Sequence, residues 1–198
     1  MSVFYKQAYG AMVTPKEREL LKALAEKSCE RYDQPVIVNI GVFCACTMHC
    51  FRAGCERAIL VGVDNDYETR QIERKAELNA IFIEGDSRKV HSEFEVTVKD
   101  EEHGILYKTD KIDMVLFDGA HDYDTVRKDI AGWTPHVSIG GIIAFHDYAY
   151  KPEDLKWDLT LSGVKKAVDE WFKTSSLYWK ELPGASSIRV FQQSYTGD

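Results

Sequence analysis

Two apolar runs near the middle of the chain each stop at a cluster of acids and histidines. Ile112-Asp-Met-Val-Leu-Phe117 ends in Asp118-Gly-Ala-His121-Asp122-Tyr123, and Ile142-Ile-Ala-Phe145 ends in His146-Asp147-Tyr148. Imidazole titrates near neutral pH, so His146 and His121 are candidates for taking a proton from a hydroxyl group. Asp118 and Asp147 bring carboxylate oxygens to the same spot.

For these groups to act together, their two strands must lie side by side. Between the runs, Val126, Ile130 and Trp133 recur at helical spacing, and Gly140-Gly141 supplies a turn into the second run. The pattern predicts one βαβ unit whose parallel strands are buried on both faces. Parallel neighbours stand about 4.8 Å apart, so residues at their C-terminal ends face one cleft. Open α/β sheets bind their ligands at that edge.

The remaining chain continues the alternation. Thr14-Pro15-Lys16-Glu17 is a helix start, with Thr as N-cap, Pro at the first helical position and Glu closing a capping box. Leu20, Leu21, Leu24 and Ala25 carry that helix to about Tyr32, and Asp33-Gln34-Pro35 stops it. Residues 36–40, 58–63 and 81–83 read as strands, while 46–53 (capped by Gly54), 67–78 and 161–174 read as helices. Residues 93–110 suggest a two-stranded, hairpin-like insertion. The runs 176–182 and 187–193, around Pro183-Gly184, suggest a closing antiparallel pair. The expected fold is α/β: a Rossmann-like, doubly wound, mostly parallel seven-stranded sheet with a C-terminal antiparallel strand pair. One domain over 1–198 is expected, with residues 1–13 as an arm or lid.

At 198 residues, 44% hydrophobic and 12% aromatic, the chain can bury a full core and is not a disordered polypeptide. Its formal net charge of -7 comes without a basic stripe, which argues against a nucleic-acid partner. No window approaches 18 apolar residues and the N-terminus has no apolar leader, so a cytoplasmic protein without a membrane partner is expected. Association into a homo-oligomer is left open. Five cysteines are an odd number for a disulfide framework, and Cys44, Cys46, Cys50 and Cys55 match no common zinc spacing. They read as small, reduced, half-buried side chains.

Successive strands end in Gly41, Asp64, Asp86-Ser87, Asp118 and His146-Asp147. A glycine after the first strand lets a ligand approach the backbone, and an acid after the second can accept hydrogen bonds from a ribose diol. The loop Asn39-Ile-Gly41-Val-Phe-Cys44-Ala45 carries a single glycine, and no Walker lysine motif is present. The site therefore suits an adenosine without phosphates. In Val36–Phe43, Val61–Asp64, Ile83–Ser87, Asp118–Tyr123 and Gly140–Asp147 the chain resembles class I S-adenosylmethionine-dependent methyltransferases. Within these it is most similar to the family 24 type of small-molecule O-methyltransferase.

The resemblance implies S-adenosyl-L-methionine as cofactor. Gly41 would face its methionine part, Asp64 the ribose, and Asp86 and Ser87 the adenine, with Asn39, Thr47 and Asn65 completing the set. Asp118 would lie near the methionine ammonium and the reacting centre, catalytic together with His146 and His121. Some relatives hold Mg2+ at these strand ends; Asp118, His146 and Asp147 would be the ligands here, although imidazole suits a hard cation poorly. The chain departs from the family in carrying Asn39 where an acid is usual, and Ala45 where glycine is usual. The implied substrate is a small molecule such as a sugar, phenol or natural product, against which Tyr5, Tyr9, Tyr148, Tyr150 and Trp157 could pack. Three other readings compete with this one. They are a fold relative that binds the cofactor without catalysis, a nicotinamide-dependent oxidoreductase, and a cysteine-cluster metal protein.

Overall fold

The computed structural model describes residues 13–43, 45–65, 78–99, 106–149, 160, 162–176 and 178–194. All but Val13 of the expected arm (1–13), all but Leu78 of the helix expected over 67–78, most of the loop after Tyr148 (150–159) and Cys44 lie outside the described residues.

Helix α1 (Pro15–Arg31) begins as its capping box dictates: the Glu17 N–H donates to the Thr14 hydroxyl and the Thr14 N–H to the Glu17 carboxylate. Strand β1 (Val36–Ile40) leads into α2 (Cys46–Gly54), β2 (Ile59–Asp64) and β3 (Ile81–Glu84). A single helical turn, α3 (Ser87–Val90), precedes the small antiparallel pair β4 (Val96–Lys99) and β5 (Leu106–Thr109). Then come β6 (Ile112–Phe117), α4 (Tyr123–Trp133), β7 (Val137–Phe145), α5 (Ser162–Ser175), β8 (Trp179–Ala185) and β9 (Ile188–Gln193).

Seven strands form one sheet in the order β3-β2-β1-β6-β7-β9-β8. The first five run parallel, and β9 is antiparallel to both β7 and β8. Side chains alternate faces along each strand. Val36, Val38 and Ile40 of β1 join Val126, Ile130 and Trp133 of α4 and Val164, Ala167 and Val168 of α5. On the other face Ile37 joins Leu21, Leu24 and Ala25 of α1 and Met48 and Phe51 of α2. The doubly wound, mostly parallel sheet is therefore as expected, and β4–β5 is the expected hairpin, tucked in through Phe94 edge-on to Trp133 at 5.2 Å.

Four local expectations are corrected. Gly140 and Gly141 make no turn: both lie inside β7, where the pairing with β6 shifts between Ile112 and Met114 and Gly140 takes φ +79 to absorb the shift. Pro183-Gly184 likewise lies inside β8 at an irregularity, and the turn falls at Ser186-Ser187, with Ser186 at φ 51. Gly54 is the last helical residue, not a left-handed cap; a Cβ there would stand 2.2 Å from the Lys22 carbonyl oxygen, so it is the seat on which α2 meets α1. Cys55 is not a reduced thiol: it forms a disulfide with Cys29, joining α1 to the end of α2. The sequence argument missed it because Cys29 stands apart from the cysteine-rich stretch.

Gly54→Ala tests the helix contact. Alanine gains about 1 kcal/mol of helix propensity, but its methyl group would meet a backbone carbonyl that cannot rotate away. Overpacking of about 1–3 kcal/mol should win, lowering the urea midpoint with the denaturant slope unchanged.

Candidate active site

The loop after β1 is shaped by three contacts. Gly41 sits at φ +84, and a Cβ there would lie 2.3 Å from the Asp118 carbonyl oxygen. Glycine is thus required by the neighbouring loop of the protein itself, rather than by an approaching ligand. One carboxylate oxygen of Asp64, at the end of β2, accepts from the N–H groups of Val42 (2.7 Å) and Phe43 (2.9 Å). The Asn39 amide donates to the Gly41 carbonyl at 3.0 Å, while its Oδ1 is buried without a partner among the described residues. Phe43 and Ala45 both take positive φ (42 and 58). Ala45 thus occupies a conformation that costs a non-glycine residue roughly 1–2 kcal/mol.

Beyond β3, Asp86 caps α3 by accepting from the Arg88 N–H, and its carboxylate is gripped by the Arg88 guanidinium. That hydrogen bonding holds the Asp86 carboxyl down at about 2. Ser87 is fixed from α4: its hydroxyl donates to Asp129 at 2.7 Å, and the Trp133 indole donates to its carbonyl at 3.1 Å. Asp129 is buried, and desolvation raises its pKa to about 6 despite the Ser87 hydrogen bond.

At the ends of β6 and β7 lies a chain of charges. The Nδ1 of His146 stands 2.9 Å from Asp118 Oδ1 and 3.0 Å from Asp147 Oδ2, and its Nε2 stands 3.8 Å from Glu17 Oε2. These are ion-pair distances; neither ring nitrogen is aligned for a hydrogen bond. His121 Nε2 lies 3.1 Å from Asp147. Glu17 also accepts from the Thr14 N–H (2.7 Å), the Ser187 N–H (2.9 Å) and the Ser187 hydroxyl (2.6 Å). Burial alone would lower the His146 pKa, but Asp118, Asp147 and Glu17 outweigh it and push the ring well above its usual value. The surrounding acids thus favour the charged form of the His146 ring when no metal is bound. Burial would also raise Glu17 and Asp147; their hydrogen-bond and charge partners prevail, holding Glu17 near 2 and Asp147 below the usual carboxylate range. Asp118 moves the other way, up, because desolvation dominates.

A cavity of about 670 Å³ runs along this edge. Gly41, Thr47, Asp64, Asn65, Asp86, Ser87, Asp118, His121, His146 and Asp147 all line it, so Asp64 and His146 share one end of the sheet. Asn39 does not line it and touches the site only through Gly41. The sequence argument missed Glu17, whose capping-box role hid its reach to His146, and Arg88, which lines the cavity beside Asp86. Only the Asp86-x-Arg88 spacing hinted at the latter.

A mostly parallel sheet in this order, with one antiparallel strand inserted next to the last and a ligand cavity at the carboxyl ends, is the architecture of class I methyltransferases. Family comparison agrees: the profile of the family 24 methyltransferase domain matches residues 38–148, more than half of the chain. The chain belongs to that family, and so to the S-adenosylmethionine-dependent methyltransferases. No curated protein matches the sequence. Among solved structures, the O-methyltransferase from Bacillus cereus in complex with SAH is similar at TM-score 0.66 and 14% identity, over 92% of this chain and 84% of that one. SAH-bound PaMTH1 from Podospora anserina gives 0.60 and 13%, over 89% and 79%. CalS11, a TDP-rhamnose 3'-O-methyltransferase in calicheamicin biosynthesis, gives 0.61 and 17%, over 91% and 79%. At such identities the likeness is one of fold. No helix among the described residues is long and apolar enough to cross a membrane.

Asp129 offers a pH test. Its folded pKa of about 6 lies above the unfolded value of about 3.9. Native protein therefore binds more protons between pH 4 and 6, and this group makes stability fall as pH rises through that window. Asp129→Asn should flatten the fall by on the order of 2 kcal/mol in urea titrations run across pH 4–7.

Proposed function

We propose that this protein transfers the methyl group of S-adenosylmethionine to a hydroxyl oxygen of a small molecule. The observation that carries the reading is one cavity with two chemically different ends. Asp64, Asn65, Asp86 and Ser87 offer acceptors and donors for a ribose and an adenine at one end. Asp118, His121, His146 and Asp147 gather charge at the other. The Gly41 loop lines the cavity, and Asn39 supports that loop from behind through the Gly41 carbonyl, so the methionine part of the cofactor would lie against the loop and not against Asn39. S-adenosylmethionine, when bound, supplies a methyl group already activated on a sulfonium. What remains for the chain is to hold the acceptor oxygen in line and keep water out. His146 is enclosed by Glu17, Asp118 and Asp147, so His121, half-buried on the cavity wall and braced by Asp147, is the imidazole placed to take the hydroxyl proton. A hydroxyl-bearing small molecule is supported by one structural neighbour being named for a sugar-nucleotide 3'-oxygen.

Asp118, His146 and Asp147 also offer donor atoms within 4.8 Å of one another. Two carboxylates and an imidazole fit Mn2+, which tolerates a nitrogen ligand beside oxygens, better than Mg2+. Such an ion would orient adjacent substrate hydroxyls and lower their proton affinity. A second reading, a cofactor-binding protein without turnover, is favoured by Ala45 at its strained φ and by the uncharged Asn39.

Isothermal titration with S-adenosylmethionine and its demethylated product checks the cofactor assignment. Both should bind, and Asp64→Ala should weaken both by about tenfold or more, since a lost charge-assisted hydrogen bond is worth about 1.5–3 kcal/mol. No heat from either at millimolar concentration refutes the assignment.

A further inference from the structure

We propose that Glu17 is a positioning residue of this site: by engaging the Nε2 side of His146, it aims Nδ1 of that ring between Asp118 and Asp147. The proposal rests on the divalent-ion reading above. Glu17 belongs to the first turn of α1, far from the site in sequence, yet its side chain is almost wholly buried. Its two oxygens are pinned from both sides. Oε1 accepts from the N–H and hydroxyl of Ser187 in the β8–β9 turn, and Oε2 accepts from the Thr14 N–H and faces His146 at 3.8 Å. A carboxylate held by three donors cannot swing away, so the ring beside it has a fixed side.

The consequence falls on Nδ1. It stands 2.9 and 3.0 Å from oxygens of two different carboxylates. A bare nitrogen lone pair facing two ionised carboxylates at that distance would be repelled by both, so a proton, on the ring or on Asp118, or a metal ion belongs among the three atoms. The two separations match the edge of an octahedron with bonds of about 2.1 Å, which is about 3 Å. An imidazole that binds a metal through one nitrogen is held by an acceptor at the other, and losing that acceptor weakens metal binding by about 10–100-fold. Glu17 is the carboxylate on that side, at an ion-pair separation of 3.8 Å that metal binding at Nδ1 would close to a hydrogen bond, and it is delivered by a helix cap rather than by the strands that carry the ligands.

The test uses the full-length chain and Mn2+ as probe, with two variants checked for folding by circular dichroism. Glu17→Met removes the acceptor; Glu17→Asp keeps an acid for the cap but withdraws it from the ring by one methylene. Wild type should bind Mn2+ with imidazole-nitrogen modulation in pulsed electron paramagnetic resonance. Glu17→Met should lose about tenfold or more in affinity and Glu17→Asp severalfold, each with diminished nitrogen modulation. Crystals of the metal-free variants should show the His146 ring turned from its wild-type orientation. A folded variant that keeps affinity, modulation and ring orientation overturns the proposal. Wild type that binds no Mn2+ refutes the divalent-ion reading alone. The ring orientation in the Glu17→Asp crystal then decides the role of Glu17: a turned ring supports it and an unturned ring overturns it.

Discussion

An imidazole buried among three carboxylates is the constraint around which the carboxyl edge of this sheet is built. Each anion arrives on a different element: Glu17 on the first turn of α1, Asp118 at the end of β6, Asp147 just past β7. A buried charge without partners costs several kcal/mol, so removing one partner leaves the others uncompensated. The backbone keeps the same arrangement in register, with the His146 N–H on the Phe117 carbonyl and the Asp118 N–H on the Ile40 carbonyl. More acid than base is gathered there, so the cluster presents a negative face to the cavity. That face favours a ligand carrying a sulfonium and an ammonium.

Much of the fold was legible from local physics. Thr14, Pro15 and Glu17 announced α1, short continuous apolar runs located the strands of the main sheet, and period-3.6 apolar patterns located α1, α4 and α5. Two turns were misplaced, because Gly140-Gly141 and Pro183-Gly184 were taken as punctuation. In fact these residues lie at irregularities within strands, where a register shift needs the same backbone freedom a turn does. The disulfide was invisible because its two cysteines come together only once α1 and α2 pack.

The cavity-lining residues were legible for a topological reason: the ends of parallel strands must share one edge, so acids and histidines read there converge without knowledge of the loops. What was not legible is which neighbour each side chain serves. Asp64 was assigned to a ribose, yet it also closes the loop after β1 through two backbone N–H groups. Ser87 was assigned to an adenine, yet its hydroxyl is taken by Asp129 across from α4. Glu17 was taken for a capping residue and nothing more. Long-range partners of this kind leave no periodic trace in the chain.

The bond between Cys29 and Cys55 closes a loop of 26 residues that contains all of β1 and α2. Closing a loop of that length restricts the unfolded chain by about 3 kcal/mol in the chain-entropy view. The helix bearing Glu17 and the helix that follows the Gly41 loop are thereby covalently yoked behind the cavity. How firmly this enzyme stays folded is thus a function of the thiol potential around it, and a reducing medium would slacken the cavity's back wall before it reached any group that touches a ligand.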